Sequence, residues 1–185
     1  VIFNLNTTSA QDYGDLQYAL SGYSYRSVGP AFMSGRIADI AIDSNNENVW
    51  YVAVGSGGVW KTKNAGTTWM PLTDNMPFYS TGSVTIDPND SSRIWVGTGE
   101  NVAGRHVGIG HGIYLSKDSG STWDNMGLKK SEHISKIIVH PDNSDIIWVA
   151  SQGPLWNSGG DRGLFMSNDG GNTWSNKLYV NEWTG

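Results

Sequence analysis

The residues best suited to chemistry lie in one glycine-rich segment, residues 98–112. It contains Glu100, Arg105, His106 and His111, together with five glycines between positions 99 and 112. A carboxylate, a guanidinium and two imidazoles can together hydrogen-bond an anionic or polyhydroxylated ligand. Because a glycine-rich segment loses much conformational entropy on ordering, this segment must be held by packing or by a ligand, or else stay mobile. We expect a functional loop, with Glu100 as the one weak catalytic candidate.

Two other interpretations of this segment lack support in the sequence. Glu100, His106 and His111 are metal-ligating residue types, but their spacing matches no strong ligand signature. The run Gly97-Thr98-Gly99 resembles the start of a nucleotide-binding fingerprint, but a strand and a hairpin follow it instead of a helix. We therefore predict no metal and no other cofactor.

Three further candidates fall at matching places in an internal repeat. Aligning the repeats puts Arg36, Ser80 and His133 in register, with Glu132 next to His133. An arginine in this place either binds a ligand carboxylate or forms a salt bridge to a loop carboxylate, and we favour the salt bridge. We count Arg36 and His133 among the candidate ligand-binding residues.

An additional segment, residues 152–162, carries Trp156 and Arg162. Trp156 does not fall on the repeat, so packing between equivalent units does not explain it. Two interpretations stand: a stacking platform for a sugar ring or apolar side chain, or a hydrophobic plug over a neighbouring unit. Both residues are candidate ligand-binding positions.

A turn motif occurs three times, at residues 62–69, 116–123 and 167–174. It indicates the structural elements that position these candidates. Each copy has a hydroxyl, an Asx residue, a glycine and a closing Thr-Trp pair, the pattern of a tight hairpin. The acidic residues resemble a catalytic set, but each belongs to a separate peripheral turn, so we assign them a structural role. The structural residues are Asn64, Gly66, Trp69, Asp118, Gly120, Trp123, Asp169, Gly171 and Trp174.

Three short apolar strands precede each turn motif and one follows it. Four antiparallel strands repeated at this length predict an all-β chain built as a β-propeller of four-stranded blades. We place the blades at about residues 27–72, 80–128 and 133–178. Three blades make an incomplete ring, so we expect further blades in a longer protein. Trp50, Trp95 and Trp148 are assigned to one equivalent position, where they pack between blades.

The three turn motifs resemble those of the Asp-box, or bacterial neuraminidase repeat, propellers, which include sialidases, xyloglucan-specific glycoside hydrolases and sortilin receptors. In the xyloglucan-cleaving enzymes a catalytic Asp precedes an Ile-Gly-Gly turn after the second strand of the first blade. The matching stretch here is Gly55-Ser56-Gly57-Gly58, with glycine in place of that carboxylate. This departure weighs against xyloglucanase chemistry, although Glu100 in the next blade could supply a carboxylate. By analogy, functional loops lie on the face opposite the turn motifs.

Composition narrows the range of partners. The formal net charge is −5 and the chain has no basic stripe, which argues against nucleic acid. No apolar run approaches the length of a membrane span. Residues 1–10 resemble the remnant of a signal peptide, or alternatively a disordered or strand-forming leader, and residues 11–26 form a leader segment. We expect a secreted, periplasmic or cell-surface protein of bacterial origin.

These observations lead to one main functional prediction and two alternatives. The main prediction is an exported propeller segment, resembling the sortilin-like branch, that binds a polypeptide or glycan through the face opposite the turn motifs. The first alternative is a glycoside hydrolase whose catalytic carboxylates lie partly in further blades. The second is a structural scaffold of a multiprotein assembly.

Overall fold

The computed structural model describes residues 36–102, 104 and 107–185. The expected signal-peptide remnant, the leader, Arg105 and His106 lie outside these residues. All named elements of the described part are β-strands, and no helix there is long and apolar enough to cross a membrane. The strands are β1 (Ile37–Ile42), β2 (Trp50–Val54), β3 (Gly58–Thr62), β4 (Met70–Pro71), β5 (Thr81–Asp87), β6 (Asp90–Thr98), β7 (Ile113–Ser116), β8 (Asp124–Asn125), β9 (Ile134–His140), β10 (Asn143–Ser151), β11 (Gly163–Ser167) and β12 (Ser175–Leu178).

The strands form three antiparallel sheets of four, each in chain order from inner to outer strand: β1 to β4, β5 to β8, and β9 to β12. These are the three predicted propeller blades. The inner strands β1, β5 and β9 lie side by side, and Lys136 of the third blade pairs with Asp39 of the first at 3.0 Å. The described residues therefore form a continuous arc of blades.

Apolar side chains alternate along the middle strands and fill the two spaces between blades. Between the first and second blades, Tyr51 and Ala53 pack with Ile94 and Val96. Between the second and third blades, Trp95 lies in a core whose other members include Ile113, Leu115, Ile137, Ile147 and Val149. Burial of a large apolar side chain stabilises a fold by about 1.5–3 kcal/mol, so these cores are the main force joining the blades.

The turn motifs have the hydrogen bonding that their sequence predicts. In the second motif, the Asp118 carboxylate accepts bonds from the Ser116 hydroxyl at 2.8 Å and the Thr122 hydroxyl at 2.6 Å. The third motif repeats the arrangement around Asp169. Bonds led by that from the threonine hydroxyl lower the pKa of both carboxyl groups to about 2. In the first motif, the Asn64 side-chain oxygen accepts a bond from the Thr62 hydroxyl, as the aspartates do from their serines, but its amide nitrogen donates to the Thr68 hydroxyl.

The closing tryptophans of the second and third motifs pack toward the preceding blade. Trp174 donates its ring N–H to the Met126 carbonyl at 2.7 Å, and Trp123 packs against the core between the first and second blades. Ser119, at φ 59°, accepts bonds from the Tyr51 hydroxyl and the Lys61 ammonium of the first blade. The turn motifs thus hold neighbouring blades together, in addition to closing their own hairpins.

One predicted equivalence among the tryptophans is wrong. The hydroxyl residue that opens each turn motif pairs with Trp50 in the first blade, Ile94 in the second and Ile147 in the third. Trp50 is therefore equivalent to Ile94, one residue out of register with Trp95. Because neighbouring residues of a strand point to opposite faces, Trp50 lies on the face turned away from the second blade.

That outer face of the first blade carries a depression of about 470 Å³, which Trp50 lines together with Trp60, Trp69 and aliphatic side chains of β1 and β2. Ile40 and Ile42 of the inner strand are half exposed. No blade covers this face among the described residues. Such a face is typical of an open ring edge.

Candidate functional site

The loops of the three blades emerge at two opposite ends. The turn motifs lie at one end, bonded to the hairpins that join inner and second strands: Ala65 to Asn48, Ser119 to Ser92, and Gly170 to Asp145. The loops between second and third strands lie at the other end, beside the connections from each outer strand to the next inner strand. We call this end the loop face.

The predicted register of the loop face is confirmed. The carbonyls of Arg36, Ser80 and His133 accept hydrogen bonds from the backbone N–H groups of Gly55, Gly99 and Gln152, respectively. Each bond joins the residue just before an inner strand to the residue just after the second strand. The three aligned positions therefore stand at one level around the loop face.

Glu100 lies at the centre of this arrangement. Its side chain is 2% exposed, yet the Arg36 guanidinium and the Ser56 hydroxyl both donate to its carboxylate. The Arg36 side chain remains 59% exposed, so one end of the ion pair is buried and the other faces solvent. The favoured interpretation of Arg36, a salt bridge to a loop carboxylate, is confirmed.

The environment of Glu100 keeps it ionised. Burial raises the pKa of its carboxyl group, but the bonds from Ser56 and Arg36, the Arg36 charge and a backbone bond at Gly108 outweigh burial. The net effect is a lowered pKa. Glu100 is thus a fixed negative charge that joins the first blade to the loop of the second.

Gly55 borders the same carboxylate from the first blade. A Cβ atom at position 55 would lie 3.3 Å from the Glu100 carboxyl carbon and 3.4 Å from its Cγ. Glu100 therefore occupies the space that a side chain at position 55 would enter. Position 55 is the one where the resemblance implies a catalytic carboxylate.

Close packing holds the described part of the 98–112 segment. The Gly110 N–H donates to the Glu132 carbonyl at 2.7 Å, and Glu132 has φ 54°, in the left-handed region. A side chain at Gly99 would collide with that carbonyl, and one at Gly108 with the Ser80 hydroxyl. These glycines are needed where the loop backbone meets neighbouring residues.

His133 supports Glu100 from the third blade. It is buried, and its Nδ1 lies 2.9 Å from the Glu100 carbonyl, which accepts the bond. Burial lowers the pKa of the imidazole, despite the opposing effects of this bond and of the nearby carboxylates. The predicted set of Arg36, Glu100 and His133 is therefore brought together, with Glu100 in the middle.

Arg162 has a different environment. Its guanidinium is buried and donates to the backbone carbonyls of Gln152, Pro154, Asn157, Gly159 and Trp183. These bonds fix the 152–162 loop and join it to the chain after β12. The Arg162 guanidinium therefore binds backbone carbonyls of its own chain.

Trp156, which Arg162 helps to present, is 71% exposed. It is not a buried plug over a neighbouring unit in the described part of the chain. His111 is also exposed, and its backbone N–H donates to the Thr98 hydroxyl at 2.7 Å. Both side chains are free to meet a ligand on the loop face.

Two exposed aromatic side chains on the loop face are not among the candidates predicted from the sequence. Tyr79, in the connection from β4 to β5, is 67% exposed beside a second depression of about 470 Å³. The signal was available as an aromatic residue among turn-forming residues between two predicted strands. Trp183, also exposed, follows β12 on the same face.

Two observations bear on the acid-base chemistry and the metal binding of the described residues. Hydrogen bonding lowers the pKa of the Asp90, Glu100, Asp118 and Asp169 carboxyl groups. A general acid working near neutral pH needs the opposite displacement. Within the described ranges, no three histidine, aspartate or glutamate side chains are grouped to hold a metal ion.

Sequence comparison finds relatives among xyloglucanases. No family model matches the chain. An oligoxyloglucan-reducing end-specific xyloglucanase of Emericella nidulans is 26% identical over 155 residues, which cover 77% of this chain and 18% of the relative. Xyloglucanases of Paenibacillus sp. and Hypocrea jecorina are 26% and 27% identical and cover 83% and 85% of the chain. The chain spans 15–19% of the length of these relatives.

Solved structures agree on the fold. An ancestral GH74 enzyme superposes with a TM-score of 0.65 at 22% identity, covering 82% of this chain and 19% of that structure. The GH74 enzyme of Niastella koreensis gives a TM-score of 0.59 at 19% identity, with 78% and 23% covered. A YCF48 protein bound to D1 peptide gives 0.56 at 14% identity, with 81% and 42% covered. These likenesses establish the β-propeller fold of the chain.

Proposed function

We propose that this chain is part of a glycoside hydrolase-type β-propeller that recognises a xyloglucan-like β-glucan through its loop face. The observation that carries the proposal is the similarity to three xyloglucanases over 77–85% of the chain. This favours the glycoside hydrolase alternative of the sequence analysis over the sortilin-like one. The three turn motifs support wider membership of the Asp-box superfamily.

The loop face offers the chemistry that such a ligand needs. Exposed aromatic rings at Tyr79, Trp156 and Trp183 can stack on sugar rings, which present an apolar face of C–H groups. Arg36 and His111 supply exposed polar groups for hydroxyls. Loops held by Glu100 and Arg162 keep these side chains in place before the ligand arrives, which lowers the entropic cost of binding.

We assign this chain to binding, and place the catalytic carboxylates of the whole protein outside the described residues. Two observations support this assignment. Glycine stands at position 55, where the resemblance implies a carboxylate, and Glu100 fills the adjacent space as an ionised group. Hydrolysis of a glycosidic bond requires one carboxyl group that donates a proton and a second that acts as base or nucleophile. Glu100 is kept deprotonated, which does not suit the first role, and its bonds to Arg36 and Ser56 already engage the carboxylate that the second role would need.

Peptide binding is the second candidate function. The likeness to a propeller bound to a peptide favours it, at lower sequence identity than the xyloglucanases. A scaffold role is the third candidate, and the half-exposed Met70 and Leu178 on the outer strands would serve it.

We also propose that the protein is exported from the cell. The relatives come from Paenibacillus and from two fungi, so we propose no bacterial origin.

The test is a binding and hydrolysis assay on the full-length protein. Titration calorimetry with xyloglucan oligosaccharides measures affinity, and release of reducing ends from xyloglucan measures cleavage. Starch and mannan oligosaccharides serve as control glycans. We expect saturable binding of xyloglucan alone. Failure to bind any of these glycans, together with binding of peptides from a library, would instead establish the second candidate.

A further inference from the structure

The depression beside Tyr79 is a second feature of the loop face, distinct from the group around Glu100. It has a volume of about 470 Å³ and lies between the turn at Gly58 and the connection from β4 to β5. Ligand sites in proteins commonly measure about 300–1,000 Å³. The depression is therefore large enough for a small ring-shaped ligand.

Its walls are rigid. The Gly58 N–H donates to the Tyr79 carbonyl at 2.9 Å, and the Thr73 hydroxyl accepts the Val59 N–H at 2.9 Å. Phe78 is buried, with its ring centre 4.6 Å from that of Tyr114. The depression is thus formed by bonded and packed residues of the blade itself.

The wall of the depression requires glycine at position 58. Gly58 has φ 67°, a left-handed conformation that other residues rarely adopt. A side chain there would collide with the Thr73 hydroxyl. The backbone of the turn therefore lies directly against the connection that carries Tyr79, with no intervening side chain.

Two exposed side chains on the rim differ in chemistry. Tyr79 presents an aromatic face to solvent although its neighbours Phe78 and Ser80 are buried. Asp74, also exposed, supplies a carboxylate that accepts hydrogen bonds from hydroxyl groups. A pyranose ring matches both, because it has an apolar face and a rim of hydroxyls. A uronic acid matches poorly, because its carboxylate would meet that of Asp74.

We propose that this depression binds one neutral pyranose residue of a β-glucan, with Tyr79 as the stacking platform and Asp74 as the acceptor of its hydroxyls. This inference rests on the proposed function and adds to it a named subsite and a preference for neutral over acidic sugars. Its ligand is the same glycan chain that crosses the loop face.

The experiment is titration calorimetry of the full-length protein with xyloglucan oligosaccharides and with oligogalacturonate. Tyr79→Ala should weaken xyloglucan binding about tenfold, since a few aromatic contacts dominate most interfaces. Tyr79→Phe keeps the ring and should bind like wild type. Tyr179→Ala is the matched control, because Tyr179 is 55% exposed and lies outside the depression. Thermal melts of each variant verify folding.

Asp74→Asn tests the second half of the proposal. It should weaken xyloglucan binding and reduce the preference over oligogalacturonate, since it removes the repelling charge. If wild type binds xyloglucan and Tyr79→Ala binds equally well, the subsite is overturned while the proposed function stands. If wild type binds neither glycan, both are overturned. Equal wild-type affinity for the two glycans overturns the preference for neutral sugars.

Discussion

Gly55 and Glu100, which belong to neighbouring blades, share one space on the loop face. A Cβ atom at position 55 would come within 3.3 Å of the Glu100 carboxyl carbon, and the Glu100 carboxylate is already bonded by Arg36 and Ser56. The two positions therefore depend on each other: glycine in the first blade leaves room for an ionised glutamate from the second.

Gly55→Asp should destabilise the protein by about 1–3 kcal/mol. The new side chain must displace the Glu100 carboxylate, and it brings a second negative charge beside the first. Chemical denaturation of the full-length protein measures the free energy of unfolding. Gly55→Ala, which adds bulk without charge, should have a smaller effect.

A double-mutant cycle separates this interaction from other effects of Gly55→Asp. In a Glu100→Gln background, the loss caused by Gly55→Asp should shrink, because the repelling charge is gone. Equal losses in the two backgrounds would mean that the two side chains do not meet.

Glu100→Gln should itself reduce stability by about 1–3 kcal/mol, because the amide cannot balance the Arg36 charge and a polar group stays buried. Since the pKa of Glu100 is lowered by folding, its stabilising effect is complete above pH 4.5 and declines as the pH falls below it. Glu132→Gln, a half-buried neighbour, is the control, and its effect should be near 0.5 kcal/mol or less. Chemical denaturation of wild type and both variants between pH 3 and pH 7 measures these free energies of unfolding. An equal loss of stability in Glu100→Gln and Glu132→Gln would contradict the prediction.

Acid should weaken the second and third turn motifs and spare the first. Folding lowers the pKa of Asp118 and Asp169 from 3.8 to about 2, so their stabilising effect is lost as the pH falls between these values. Asn64 does not titrate. The double variant Asp118→Asn with Asp169→Asn should therefore lose less melting temperature than wild type between pH 4 and pH 2. If the melting temperatures of wild type and the double variant fell by equal amounts over this range, the two carboxylates would not be preferentially ionised in the fold.

The titration of His133 should make the protein less stable in mild acid. Burial lowers its pKa below the usual 6.5, so the neutral form is stabilised by folding and stability falls as the pH drops below 6.5. His133→Asn keeps a donor near the Glu100 carbonyl and removes the titration. Its free energy of unfolding should change less between pH 7 and pH 5 than that of wild type. His140→Asn, at an exposed histidine, is the control.

The fold was predictable because its strongest signals are local. Each turn motif closes its hydrogen bonds within eight residues, so the positions of Ser116, Asp118 and Thr122 in the sequence already describe the turn. The alternation of apolar residues then places the preceding strands. The two ends of the blades follow from the order of the strands, which is why the loop face could be predicted without coordinates.

Contacts between distant residues were harder to predict. Glu100 and Arg36 were both candidates, and a loop carboxylate was the favoured partner of Arg36, but 64 residues separate the pair and no spacing joins them. Trp50 was misplaced because Tyr51, its neighbour, is also aromatic and occupies the position equivalent to Trp95. Because the loops between the second strand and the turn motif differ in length, an alignment of the repeats does not reveal such a shift of one residue.

The most direct test of the central claim is hydrogen–deuterium exchange of the full-length protein with and without xyloglucan oligosaccharide. We predict slower exchange in the loops of the loop face, residues 55–58, 72–80 and 152–162. The turn motifs at residues 62–69, 116–123 and 167–174 should exchange at unchanged rates. Protection confined to the turn motifs, with the loop face unaffected by saturating glycan, would contradict the account.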